Sequence, residues 1–163
     1  MTRLDTVIER LMAQRSCLNA AASALRDVPG HILELGLGNG RTYDHIRTLF
    51  PDRDIYVFDR EVASHPDCRP DAAHLFLGSM AETLVTAADQ LGPDAVLIHA
   101  DIGFGDAAAT ERNVATLGPK MLTLVRSGGL VLCDQSLERF EGLTPEPLPP
   151  DVETGRYHVY RRA

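Results

Sequence analysis

The ten residues HILELGLGNG, numbers 31–40, predict a short buried strand that runs directly into a glycine-rich turn. The strand is expected over His31 to Leu35, because this run is short and mostly apolar. The turn carries glycines at alternate positions, so its backbone can take positive φ angles and a ligand can approach the main chain closely. A helix predicted over Thr42 to Leu49 directs its amide groups toward the same space. Strand, turn and helix in this order are typical of the ligand site of a doubly wound sheet.

Strands and helices continue to alternate after this turn. Short apolar runs predict four more strands, over Asp54 to Phe58, Leu75 to Leu77, Ala95 to His99 and Gly129 to Cys133. Helical patterns lie between them, over Met80 to Leu91 and over Ala107 to Arg126, the second with an expected bend at Gly118-Pro119. The alternation predicts an α/β fold: a doubly wound, Rossmann-like and mostly parallel sheet that is covered on both faces.

One domain is expected, because a chain of 163 residues suits a single core of ordinary size. Within it, segment 30–135 is the expected ligand-binding core. Segment 136–163 is expected to contain a proline-rich loop over Pro145 to Pro150 and a closing edge strand over Arg156 to Arg161.

The remaining segment, 1–29, is predicted to be helical up to Pro29-Gly30, with a second helical stretch over Leu18 to Leu25. Its first helix has one apolar stripe, which is typical of core packing but could also serve as a lid or as the contact of a homo-oligomer. The stripe consists of Leu4, Val7, Ile8, Leu11 and Met12. Gln14, Arg15 and Asn19 follow it and could face a ligand of the core.

Composition narrows the class of protein. A hydrophobic fraction of 44% and a charged fraction of 24% are ordinary for a globular domain, and no apolar run is long enough to cross a bilayer. The net charge of −7 repels phosphate backbones, so neither nucleic acid nor membrane is an expected partner. Cys17, Cys68 and Cys133 are far apart and form no CxxC pair. This spacing argues against a zinc ribbon, a redox motif or a disulfide framework. Charged residues interrupt the apolar residues of positions 1–12, unlike the core of a signal peptide, so a cytoplasmic location is expected.

The spacing of the turn separates three cofactor classes. A P-loop would need glycine at Leu35 and lysine at Arg41, so that class fails at two positions. The dinucleotide fingerprint GxGxxG would need a small residue where Arg41 stands, because a large one prevents close packing of helix on strand. An NAD-dependent oxidoreductase therefore stays open only as a weaker alternative.

An acid followed by GxGxG, here Glu34 with Gly36, Gly38 and Gly40, resembles the first motif of class I S-adenosylmethionine-dependent methyltransferases. The chain as a whole is similar to short single-domain bacterial members of that family. The resemblance implies a class I methyltransferase fold, S-adenosyl-L-methionine as cofactor, and an acid that lies near the methionine end of the cofactor and orders the loop. The cofactor contacts it implies are Glu34, Gly36, Gly38, Asn39, Gly40, Thr42, Asp59, Arg60, Gly78, Ser79, Met80, His99 and Asp101.

Asp59 strengthens this interpretation, because it ends the second predicted strand, 23 residues after Gly36. An acid at that point can accept hydrogen bonds from both ribose hydroxyls. Ser79 and Met80, after the third strand, stand where the family contacts the adenine ring, although Ser79 could equally cap the next helix.

The fourth strand ends in His99-Ala100-Asp101, where the family positions groups that face the transferred methyl. Asp101 is the candidate base or acceptor-positioning group, and His99 is a second catalytic candidate. Methyl transfer is an in-line displacement, so alignment of the acceptor is the main requirement.

The end of the fifth strand also resembles metal-dependent O-methyltransferases of the catechol and caffeoyl-coenzyme A type. Those enzymes bind magnesium with an aspartate after the fourth strand and an Asp-Asn pair after the fifth. The positions matched here hold His99, Asp134 and Gln135, an incomplete set of hard oxygen ligands, so no metal is expected.

The function implied is methyl transfer to a small-molecule acceptor that the sequence does not identify. The alternative is a protein that binds S-adenosylmethionine without catalysis.

Overall fold

The structure, a computed structural model, describes residues 1–163 and contains four helices and seven strands. The helices are α1 (Arg3–Ala24), α2 (Arg41–Leu49), α3 (Met80–Leu91) and α4 (Ala107–Leu122). The strands are β1 (His31–Leu35), β2 (Ile55–Asp59), β3 (Leu75–Leu77), β4 (Ala95–Ala100), β5 (Val125–Cys133), β6 (Leu143–Pro145) and β7 (His158–Arg162). None of the helices combines the length and the apolar character needed to cross a membrane.

All seven strands form one sheet in the order β3-β2-β1-β4-β5-β7-β6. Strands β1 to β5 pair in parallel, whereas β7 runs antiparallel to both β5 and β6. The chain order reverses between β1 and β4, and in such sheets the crevice at the carboxyl ends of those two strands is the usual place for a ligand. The predicted Rossmann-like, mostly parallel sheet is confirmed.

Each central strand contributes side chains to both faces of the sheet, because successive residues of a strand point in opposite directions. In β1, Ile32 packs into the cluster beneath α1 and α2. Its neighbour Leu33 packs into the cluster beneath α3 and α4. Both residues are fully buried, as expected for a parallel strand covered by helices on both sides.

The N-terminal segment forms one continuous helix, α1, and not two. Thr2 and Asp5 cap its start reciprocally, since each side chain accepts a hydrogen bond from the other residue's backbone amide. The buried residues of α1 begin at Ala13. The apolar stripe of the first half is solvent-exposed, with Leu4 68% and Ile8 44% exposed. Core packing of that stripe is therefore the wrong interpretation.

The C-terminal half differs from the prediction in three respects: the end of α4, the place of β7 in the sheet, and the additional strand β6. Helix α4 ends at Leu122, because β5 already begins at Val125 and pairs there with β4. Strand β7 is not at the edge but lies between β5 and β6. The actual edge strand, β6, has three residues and ends at Pro145 inside the proline-rich stretch, so it shows no strand pattern of its own.

Candidate active site

A cleft of about 530 Å³ opens at the carboxyl ends of β1, β2 and β4, a volume within the usual range of small-molecule sites. It lies between the glycine turn, the start of α3 and one face of α4. Seven of the residues that the sequence singled out line it: Gly36, Gly38, Asp59, Arg60, Ser79, Met80 and Asp101. We call this the main cleft.

The glycine turn owes its shape to close packing as well as to backbone angle. Gly36 has a φ of +95°, and a Cβ there would lie 3.0 Å from the carbonyl oxygen of Asp101. Gly40 has a φ of +83°, and a Cβ there would lie 2.6 Å from the carbonyl oxygen of Cys68. Any other residue at either position would strain the turn and push it away from its neighbours.

Asp59 ties the end of β2 to this turn. Its Oδ2 accepts hydrogen bonds from the amides of Leu37, at 2.9 Å, and Gly38, at 3.1 Å. Its Oδ1 accepts one from the amide of Arg60, at 2.7 Å. A carboxylate has about four acceptor sites, so Asp59 retains capacity for a donor in the main cleft.

The wall of the main cleft beside Asp59 also carries side chains without hydrogen-bond or ion-pair partners. They belong to Arg60, Ser79 and Met80. Ser79 stands at the N-cap position of α3, yet its hydroxyl makes no capping hydrogen bond. The guanidinium of Arg60 makes no ion pair, and Met80 is half-buried. Ser79 therefore occupies the N-cap position without capping the helix through its side chain, and its hydroxyl stays available for a ligand.

Asp101 lies at the opposite wall, where α1 reaches over the end of β4. Both carboxylate oxygens accept hydrogen bonds from the guanidinium of Arg10, at 3.1 and 3.2 Å. The amide nitrogen of Gln14, a buried residue, donates a third at 3.2 Å. Of the α1 residues expected to face the ligand, Gln14 does reach this site. Asn19 instead bonds His45 on α2, at 2.8 Å.

A buried hydrogen-bonded chain runs beneath the glycine turn. The Glu34 carboxylate accepts hydrogen bonds from the Thr42 hydroxyl at the start of α2 and from Nδ1 of His99, the latter at 2.6 Å. Nε2 of His99 lies 2.7 Å from the hydroxyl of Tyr157. We call Thr42, Glu34, His99 and Tyr157 the buried relay. Glu34 thus joins the start of α2 to β4, but it is fully buried and does not line the main cleft.

Burial by itself lowers the pKa of His99, but the Glu34 carboxylate outweighs it, with smaller contributions from Asp101 and Asp134. The pKa of His99 therefore lies above its ordinary value. His99 has no exposed surface and does not line the main cleft. This corrects its expected role in catalysis or cofactor contact, since a fully enclosed ring cannot touch a ligand there. The other expected cofactor contacts that do not line the cleft are Asn39, Gly40, Thr42 and Gly78.

The residues matched to a magnesium site are engaged elsewhere. Asp134 accepts hydrogen bonds from the amides of Ile102, at 2.9 Å, and Gly103, at 3.0 Å. The side chain of Gln135 donates to the same carboxylate at 2.8 Å. Asp134 therefore holds the loop after β4 in place. No group of three or more His, Cys, Asp or Glu side chains is arranged to hold a metal ion.

The sequence did not single out the α4 wall of the main cleft, which consists of Ala109, Arg112, Asn113 and Thr116. These residues share one helix face by their spacing, but that spacing alone does not reveal whether the face meets a core or a cleft. Arg10 and Tyr157 were also missed, because their partners lie 91 and 58 residues away along the chain.

A sequence model of the family described as S-adenosyl-L-methionine methyltransferase matches residues 1–162. The chain belongs to this methyltransferase family. Its activity is therefore methyl transfer and its cofactor is S-adenosyl-L-methionine. No curated protein matches the chain.

Solved structures agree with this assignment. A crystal structure of an S-adenosyl-L-methionine methyl transferase from Silicibacter pomeroyi DSS-3 is 42% identical, with a TM-score of 0.95. The match covers 100% of this methyltransferase and 99% of that chain. MycE of the mycinamycin biosynthetic pathway, solved with Mg, SAH and mycinamycin VI, is 15% identical, with a TM-score of 0.61 over 97% of this chain and 48% of its own. TrmN from Thermus thermophilus is 17% identical, with a TM-score of 0.62. That match covers 89% of this chain and 48% of TrmN. At these identities the last two share the fold.

The residues of the main cleft suit the cofactor of this methyltransferase. A Cβ at Gly38 would meet nothing within 4 Å, so open space lies directly against the turn. Asp59 supplies acceptors for hydroxyl groups at one wall, and the unengaged hydroxyl of Ser79 lies on the same side.

Proposed function

We propose that the main cleft holds S-adenosylmethionine and that the chain methylates a small-molecule acceptor there. The observation that carries this proposal is the arrangement of Asp59. Its carboxylate lies beside a side-chain-free turn, with about one acceptor site left after binding the amides of Leu37, Gly38 and Arg60. This arrangement matches a ribose that passes over glycine backbone.

Each end of the cofactor has matching groups in this proposal. Asp59 would accept a hydrogen bond from a ribose hydroxyl at its remaining acceptor site, while Arg60, Ser79 and Met80 would surround the adenine. Asp101 lies at the far wall and pairs with Arg10 of α1, 3.1 Å away, just outside the lining of the cleft. Such a pair complements the ammonium and carboxylate groups of a methionine moiety.

When bound, S-adenosylmethionine supplies an electrophilic methyl group on a sulfonium. The chain's own residues then have to hold the acceptor in line and exclude water. Asp101 suits a positioning role, because Arg10 and Gln14 already engage its two carboxylate oxygens. Its use as a general base stays a prediction from the sequence. The buried relay would keep the turn rigid beneath the reacting groups.

Thermal denaturation with two ligands tests the cofactor site. S-adenosylhomocysteine is expected to raise the melting temperature, because a ligand that binds only the folded state stabilises it by mass action. NAD at the same concentration is expected to leave the melting temperature unchanged. Stabilisation by NAD and not by S-adenosylhomocysteine would overturn the proposal. Incubation with isotopically labelled methyl donor and a metabolite library would then identify the acceptor.

We also propose that the first half of α1 forms a homo-oligomer contact and that the protein works in the cytoplasm. The exposed stripe with Leu4 and Ile8 supports the first part, because contiguous exposed apolar surface commonly marks an interface. Three free cysteines support the second. Light scattering is expected to show a dimer or larger species that Ile8→Glu converts to monomer. A monomeric wild type would contradict the contact.

A further inference from the structure

A second cleft, of about 480 Å³, lies in the C-terminal part of the molecule and shares no lining residue with the main cleft. It is bounded by the loop after β5 and by the segment between β6 and β7. We call it the C-terminal cleft. Its lining includes Glu138, Pro149, Val152, Thr154, Tyr157 and His158.

The two clefts open at the same edge of the sheet. His158, at the start of β7, pairs with Cys133, the last residue of β5. The carboxyl end of β5 in turn adjoins that of β4, where Ala100 pairs with Cys133. Neighbouring strands are about 4.8 Å apart, so β7 lies roughly 10 Å from β4. A small molecule could therefore span from one cleft to the reacting end of the other.

Tyr157 connects the C-terminal cleft to the buried residues beneath the glycine turn. Its side chain lines the C-terminal cleft and is almost fully buried. Its hydroxyl is the last member of the buried relay, which ends at the start of α2 beside the glycine turn. The hydrogen bonds of the buried relay thus hold both Tyr157, which lines the C-terminal cleft, and Thr42, beside the cofactor turn.

The charged side chains that line the C-terminal cleft indicate which charge its ligand carries. No lysine or arginine lines it. Glu146 is paired with Arg161 at 2.5 Å, whereas the exposed Glu138 has no cationic partner. Burial lowers the pKa of His158, against the opposing effect of the Glu138 and Asp134 carboxylates. A single free carboxylate beside proline, valine and tyrosine side chains disfavours anions and complements an amine on an apolar body.

We propose that the C-terminal cleft binds the part of the methyl acceptor remote from the reacting atom, and that this part is an apolar group bearing an amine. The proposal rests on the proposed function of the main cleft. The apolar part would pack on Tyr157 and Val152, and the amine would face Glu138.

Ligand-observed NMR titrations of protein saturated with S-adenosylhomocysteine test this with three probes of similar size: phenethylamine, 2-phenylethanol and 3-phenylpropionate. Phenethylamine is expected to bind best and 3-phenylpropionate not measurably. Glu138→Gln should weaken phenethylamine about threefold to fivefold and leave 2-phenylethanol unchanged, as for one exposed ion pair. Glu141→Gln is the matched control, because Glu141 is exposed nearby but does not line the cleft.

Thr154→Trp provides a second variant, because Thr154 is exposed at the cleft and a larger side chain there would fill it without removing core atoms. It should abolish binding of phenethylamine and 2-phenylethanol while S-adenosylhomocysteine binds as before. Equal binding of all three probes, a preference for 3-phenylpropionate, or unchanged phenethylamine binding in both variants would overturn the proposal. Failure of S-adenosylhomocysteine to bind the wild type would instead contradict the proposed function of the main cleft.

Discussion

The hydroxyl of Tyr157 lies 2.7 Å from Nε2 of His99, so a residue just before the last strand contacts the buried centre of the sheet. Both side chains are almost completely enclosed. The other ring nitrogen of His99 is hydrogen-bonded to Glu34, and Glu34 also accepts a hydrogen bond from the hydroxyl of Thr42. The C-terminal segment therefore takes part in supporting the cofactor turn, although it lies outside the segment that carries the family's motifs.

Replacement of Tyr157 by phenylalanine should lower the free energy of unfolding by about 1–3 kcal/mol, because one ring nitrogen of His99 would be left buried without a partner. Urea denaturation measures the change. Tyr43→Phe is the control, since that residue is half-buried on α2 and its hydroxyl makes no hydrogen bond within the protein. Equal losses in the two variants would mean that the hydroxyl of Tyr157 contributes nothing special.

Asp59→Asn should weaken the binding of S-adenosylhomocysteine about tenfold to a hundredfold. The change removes charge-assisted hydrogen bonds to the ribose and loosens the turn amides that Asp59 holds, at roughly 1.5–3 kcal/mol. Isothermal titration gives the dissociation constant. Asp89→Asn on the exposed face of α3 should leave it unchanged. An unaltered affinity in Asp59→Asn would show that the ribose lies elsewhere.

Arg10→Ala tests whether the Arg10 and Asp101 pair faces the methionine end of the cofactor. Both side chains are partly exposed, so the loss for S-adenosylhomocysteine should be about threefold to fivefold. Methylthioadenosine, which lacks the amino-acid group, should bind wild type and variant equally. Arg15→Ala serves as the control, since Arg15 is exposed and unpaired on the same helix. A similar loss for both ligands would argue against this placement.

His74 should make stability depend on pH. Hydrogen bonds to Asp71, at 2.8 Å, and to Asp54, at 3.0 Å, raise the pKa of His74 above its ordinary value of 6.5. The stabilisation is then fully present below pH 6.5 and is lost as the pH rises through the raised pKa.

Melting temperatures of the wild type and of His74→Asn, measured between pH 5.5 and 9, test this. The wild type should melt up to about 3 °C higher at the acid end, and the difference should shrink toward the alkaline end. A difference that is constant across this range would contradict a contribution from the charged imidazole.

The five parallel strands along the chain and the place of the glycine turn were predictable from local patterns. HILELGLGNG combines a strand run with glycines that a tight turn requires, and Asp59 follows a strand of the same kind. Each of these two signals is contained in a run of about five to ten residues, where sequence periodicity and turn chemistry are informative. The strand β6 gave no such signal, because three residues ending in proline do not establish a period.

What the sequence by itself determined is the α/β alternation, the glycine turn and the acid at its side, because each depends on backbone preferences of neighbouring residues. Only the tertiary structure decided the roles of His99, Asp134 and Arg10. His99 was expected at the reaction centre but is enclosed, and Asp134 holds the loop after β4. Arg10 reaches Asp101 because α1 packs across the sheet edge. Their partners on other elements are 31 to 91 residues away along the chain, and such contacts exist only once the layers have packed.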